Sequence, residues 1–125
     1  MSAMAVTGPD FIALQVRDLE KAAAFYEEHL GLTRAPASPP GAVVFTTSPV
    51  AFAVREPLPG VDLDGVPQPG VGVALWLHAD DAQQLHDSLV AAGVRVVQPP
   101  VPTPFGLTFT LLDLDGYAIT IHDGH

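Results

Sequence analysis

A chain of 125 residues that is 48% apolar and only 15% charged is long enough to bury a core and too apolar to be disordered. Its net charge of −9 disfavours nucleic acid and polyanionic partners, whose approach would begin with repulsion, and favours neutral or cationic small molecules. No run approaches the ~20 apolar residues of a membrane span, and the absence of cysteine removes disulfides, thiolate nucleophiles and Cys-ligated zinc.

The first nine residues read as a loose leader without a basic segment followed by an apolar one, so no secretory signal is expected and the predicted location is cytoplasmic. Residues 11–16 then place Ile12, Leu14 and Val16 on one face of a strand. Asp18 offers a side-chain acceptor at a helix start, with acidic Glu20 in the first turn. Leu19, Ala22, Ala23, Tyr26 and Leu30 recur at helical spacing, and Gly31 supplies the residue that ends the helix. After a second strand opening at Leu32, the three prolines of residues 35–41 form a connector. Residues 43–47 and 50–55 are predicted to pair as a hairpin across Ser48 and Pro49.

Residues 57–70 hold four prolines and read as a linker, after which the pattern starts again. From Gly72 a strand, an acidic cap, a helix with Leu85, Leu89 and Ala92 on its apolar stripe, and Gly93 repeat the opening order. Ala13 and Leu14 align with Ala74 and Leu75 (74 − 13 = 61), Gly31 with Gly93 (93 − 31 = 62), and the strand at Val50 with that at Tyr117 (117 − 50 = 67). Residues 99–104 read as a proline-rich loop, residues 108–112 and 117–122 as closing strands, and residues 113–116 as a tight turn that gives Asp113 and Asp115 a structural role. The expected architecture is α+β. A single domain over residues 1–125 consists of two βαβββ modules, about 10–56 and 71–123, packed into one core.

Alternate side chains of a strand point to opposite faces, so parity separates a core face from the opposite one. Ile12, Leu14, Val16, Val50, Phe52, Val54, Val73, Leu75, Leu77, Ile119 and Ile121 fall on the core face. The opposite face carries alanines and glycines at its middle, with Phe11, Gln15, Arg55, Trp76, His78, Thr120 and His122 around them. Small residues ringed by polar and aromatic ones describe a concave surface with room for a ligand, or one filled by a partner subunit. His29 and His86 lie late on the helices and His125 at the terminus, where solvated imidazoles are the ordinary reading.

At these residues the chain resembles the vicinal oxygen chelate superfamily, which includes glyoxalase I, extradiol dioxygenases, fosfomycin-modifying enzymes and bleomycin resistance proteins. The carriers are VRDLEKAAAFYEEHLGL at residues 16–32, PFG at 104–106 and DLDGYAITI at 113–121. The resemblance implies paired βαβββ modules forming an open, cup-shaped mixed sheet with helices on its convex face, and a homodimer whose cups are completed at the interface. It also implies that a divalent metal, in the family's enzymes, would be held at positions occupied here by Phe11, Ala53, Gly72 and Thr120. None of these is a usual ligand, and a divalent ion needs three or four converging N or O donors. No metal or other cofactor is therefore expected. What the resemblance leaves is the metal-free, bleomycin-resistance type of protein, which binds an antibiotic or other aromatic natural product and sequesters it without turnover.

For such a ligand, Trp76, Phe11 and Phe105 are candidate stacking partners, with Gln15, Arg55, His78 and His122 as hydrogen-bonding groups. Phe109 and Leu111 are added as one wall, and Thr120 stands at the former metal position. The competing reading is a lyase, cyclase or epimerase using His78 or His122 as general base, with or without a displaced metal.

Overall fold

The structure, a computed structural model, describes residues 4–124; residues 1–3 of the expected leader and His125 lie outside the described residues. Two four-stranded mixed sheets each carry one helix. In the first, β1 (Phe11–Gln15) is followed by α1 (Leu19–Glu28), β2 (Thr33–Arg34), β3 (Ala42–Thr46) and β4 (Ala51–Arg55), in spatial order β1-β4-β3-β2. In the second, β5 (Leu75–His78), α2 (Ala82–Ala91), β6 (Val96–Thr103), β7 (Gly106–Leu112) and β8 (Ala118–His122) give the order β5-β8-β7-β6. The first strand of each module thus lies parallel to the last, and the remaining pairs are antiparallel.

Both helices start as their sequences require. Asp18 accepts a hydrogen bond from the Lys21 amide at 3.1 Å, and Asp81 one from the Gln84 amide at 3.0 Å, satisfying donors that a helix N-terminus leaves unpaired. Gly31 ends α1 with φ +72°, its amide donating to the Glu27 carbonyl as in an αL cap and that of Leu32 to the Tyr26 carbonyl, whereas α2 closes as a Schellman motif, with the Gly93 amide on Val90 and the Val94 amide on Leu89. The two caps are 63 positions apart (81 − 18 = 63), so the first halves of the modules align at 63 rather than the 61 read from Ala13 and Ala74. A two-residue slip preserves parity, so Leu75 and Leu77 keep the core face although Val73 does not.

α1 packs on β3 and β4, and α2 on β6 and β7. One apolar cluster runs through both modules, from Val16, Phe25, Tyr26, Phe45 and Phe52 to Leu89, Phe109, Leu111, Ile119 and Ile121. Burial of such side chains contributes about 1.5–3 kcal/mol each. Polar contacts also cross between the modules at the 113–116 turn. The Tyr26 hydroxyl donates to Asp113 Oδ2 at 2.6 Å, while Asp113 Oδ1 accepts the Asp115 and Tyr117 amides. Burial raises the Asp113 pKa, the hydrogen bonds opposing that shift, and burial and the nearby Asp113 raise that of Tyr26. Arg17 joins Asp115 at 3.1 Å to Asp64 of the linker at 2.6 Å, and the Tyr117 hydroxyl donates to the Gln15 carbonyl at 2.7 Å. The carboxylates of this turn are therefore engaged in structure.

Two stretches differ from expectation. Residues 99–103, expected in a loop, belong to β6, because β6 is an edge strand with two register shifts, where the missing N–H of Pro99, Pro100 and Pro102 is tolerated. Conversely, β5 begins only at Leu75. Gly70 and Gly72 take positive φ and hold the chain in turns, leaving Val73 77% exposed instead of in the core.

Candidate functional site

The β-register brings a cluster together on the second module. Trp76 pairs with Thr120, which pairs with Thr110, and His78 pairs with His122, which pairs with Thr108. These six side chains form two adjacent rows on the face turned away from Ile119 and Ile121. The Thr110 and Thr120 hydroxyls lie 3.0 Å apart. The Trp76 ring centroid is 5.6 Å from that of His122, and the His78 and His122 rings meet edge-on at 5.3 Å. Phe105, from the β6–β7 turn, stands edge-on to Trp76 at 5.6 Å. Trp76 and Phe105 remain 45% and 58% exposed, unlike every ring of the core.

A cavity of about 360 Å³ runs along the open edge of β5, lined by Trp76, His78 and His122 and closed opposite by Thr47, Pro49 and Val50 of the first module. Its volume suits a drug-sized ligand. His122 Nδ1 is buried without a hydrogen-bond partner, the only such side-chain atom among the described residues. A second cavity, of about 230 Å³, lies between the linker and the 113–116 turn, but its only ionisable side chain is Tyr117, whose hydroxyl is already engaged.

The other predicted site residues are placed differently. Phe11 projects from β1 of the first module, 53% exposed. Gln15 and Arg55 face each other in register but turn to nearby backbone: Gln15 Oε1 accepts the Leu58 amide at 2.8 Å, and Arg55 Nε donates to the Glu56 carbonyl at 3.0 Å. Phe109 and Leu111 do not line the cup. They pair with Ile121 and Ile119, are fully buried, and Phe109 packs on His86 of α2 at 5.4 Å. Thr108 and Thr110 take the cup positions, a placement legible in the apolar/polar alternation Thr108-Phe109-Thr110-Leu111.

The implied metal does not fit. With the modules aligned at the helix caps, the counterpart of Phe11 is Ala74 (11 + 63 = 74), just before β5, rather than Gly72. Phe11, Ala53, Ala74 and Thr120 offer one hydroxyl among them, and Thr120 already bonds Thr110. Among the described residues no three His, Cys, Asp or Glu side chains converge as a ligand set, and no helix is long and apolar enough to cross a membrane.

The family model of the glyoxalase/bleomycin resistance protein/dioxygenase superfamily matches residues 8–121. No curated protein matches in sequence. Among solved structures, TnmS3, an antibiotic binding protein from Streptomyces sp. CB03234, is similar with a TM-score of 0.73 and 25% identity over 95% of this chain and 97% of its own. UcmS2 gives 0.76 and 25% over 96% and 100%. The fosfomycin resistance protein FosX from Listeria monocytogenes gives 0.74 over 97% and 96%, but at 18% identity this is a likeness of fold alone.

Proposed function

Because the chain belongs to the glyoxalase/bleomycin resistance protein/dioxygenase superfamily, we propose that it is a binding protein for a planar aromatic small molecule, an antibiotic or similar natural product, which it sequesters unchanged. The observation that carries this is the pair of exposed rings, Trp76 and Phe105, with half-buried His122 beside the β5 cavity. Large rings left open to solvent provide stacking surface for a flat ligand, with imidazole and hydroxyl groups to orient it. The similarity to an antibiotic binding protein supports the same reading. Arg95 is the only Lys or Arg between residues 71 and 124, against six aspartates, so the preferred ligand is neutral or cationic.

The working unit we propose is a homodimer. β1 and β5 are sheet edges, and Phe11, Val73 and Trp76 leave apolar surface exposed around them. Light scattering at the 13.1 kDa monomer mass would contradict this.

An enzymatic reading rests on the facing His78 and His122 rings, one of which would act as general base. Stoichiometry separates the two. In a thermal-shift screen of aromatic antibiotics followed by mass spectrometry of each stabilising compound, a binder saturates at about one ligand per site and returns it at its original mass. Conversion of many equivalents to a new mass establishes an enzyme instead.

A further inference from the structure

The turn that presents Phe105 is fastened from the end of the last strand. Within the turn, the Phe105 amide donates to Thr103 Oγ1 at 3.0 Å and that hydroxyl donates to the Gly106 carbonyl at 2.8 Å. From outside, the Gly124 amide donates to the Phe105 carbonyl at 2.8 Å, and Asp123 Oδ1 accepts the Leu107 amide at 2.8 Å. The second carboxylate oxygen of Asp123 accepts the amide of Ala82, the first residue of α2, at 3.2 Å. The segments meet so closely that side chains are excluded. A Cβ on Gly106, at φ +90°, would lie 2.5 Å from Asp123 Oδ1, and one on Gly124 would overlap the Phe105 carbonyl.

Asp123 follows His122 directly, so one short segment places two members of the aromatic cluster relative to each other. We infer that Asp123 is a positioning residue: by binding the start of β7, next to the β6–β7 turn, to the start of α2 it holds Phe105 edge-on to Trp76, and it sets ligand affinity through that ring without touching the ligand. Only the affinity clause rests on the binding reading above. Both backbone donors favour the ionised carboxylate and lower its pKa, so the clamp is in place at neutral pH.

The test uses Trp76, the only tryptophan, as a local reporter. Acrylamide quenching of its emission is measured without ligand for wild type, Asp123→Ala, Asp123→Asn, Phe105→Ala and the double variant Asp123→Ala/Phe105→Ala. Asp123→Ala should raise quenching to the level of Phe105→Ala, and the double variant should show no further increase. Asp123→Asn, which keeps one acceptor oxygen and so the fold, should fall between. Proflavine, a planar cation, is then titrated. Asp123→Ala should weaken its binding roughly tenfold, about 1.4 kcal/mol, and should have no effect in the Phe105→Ala background, because residues acting through one contact are not additive. Equal weakening with and without Phe105, or a lower melting temperature with unchanged Trp76 quenching, overturns the inference. If proflavine binds to none of the proteins while quenching follows the expected order, the positioning role stands and the ligand reading fails.

Discussion

The two modules share a frame and differ on one face. At the offset of 63, Ile12 corresponds to Leu75 and Leu14 to Leu77, and both pairs face the core. On the opposite face, Ala13 corresponds to Trp76 and Gln15 to His78; the in-register partners of the latter two are Arg55 and His122. In the first module Gln15 and Arg55 bond nearby backbone, and their neighbours are alanines. In the second, two imidazoles face each other beside Trp76 and Phe105, and one buried nitrogen has no partner. Packing fixes the shape of the core rows, whereas the outer rows are free to diverge, so the chemistry is found where the repeat breaks.

The largest effect expected separates the faces of the second module. Phe109→Ala should cost about 3–5 kcal/mol of stability as a fully buried ring is lost, whereas Trp76→Ala, half exposed, should leave the urea midpoint nearly unchanged. A stable Phe109→Ala variant would mean that core and cup have been exchanged. Next, Trp76→Ala should weaken a bound planar ligand by ~2 kcal/mol or more, roughly thirtyfold. Gln15→Ala, on the corresponding face of the first module, should change affinity little in the same isothermal titration. Equal losses at both sites would erase the proposed asymmetry.

The contact between modules comes third. Tyr26→Phe removes one of the three donors to the buried Asp113 carboxylate and should cost about 1–3 kcal/mol in denaturant unfolding. A smaller change is expected with pH. Asp113 has a folded pKa above its usual 3.8, so the native state holds its proton more tightly and its contribution to stability declines as pH rises from 3.8 through the raised value. Asp113→Asn should flatten that part of the pH–stability curve while leaving neutral stability close to wild type, since an amide can accept the Asp115 and Tyr117 amides and donate to Tyr26. Smallest of all, Thr120→Ala should alter ligand affinity by less than ~1 kcal/mol, the scale of one neutral hydrogen bond. Elemental analysis of the dialysed protein should show no stoichiometric divalent metal.

Much of the frame was legible because it is written in local signals. Asp18 and Asp81 as caps, Gly31 as helix stop and the alternation of Leu75, Trp76, Leu77 and His78 each act within a few residues. Phe109 and Leu111 belong to the core rather than to a ligand wall because β7 pairs them with Ile121 and Ile119; their alternation with threonine is the local trace of that pairing. Prolines hid β6, since only its edge position lets them into a strand. The Asp123 clamp had no local signal: its partners Ala82 and Leu107 lie 41 and 16 residues away and are backbone amides, whose identity leaves no trace in sequence.

The central claim, that the second module's face holds a planar ligand and leaves it intact, is tested most directly through the emission of Trp76. Titration with a compound selected by thermal shift should change that emission saturably at about one equivalent per site, and the compound released by denaturing the complex should have the mass of the compound added. A ligand that binds without altering Trp76 emission, or one recovered at a new mass after many turnovers, would contradict the account.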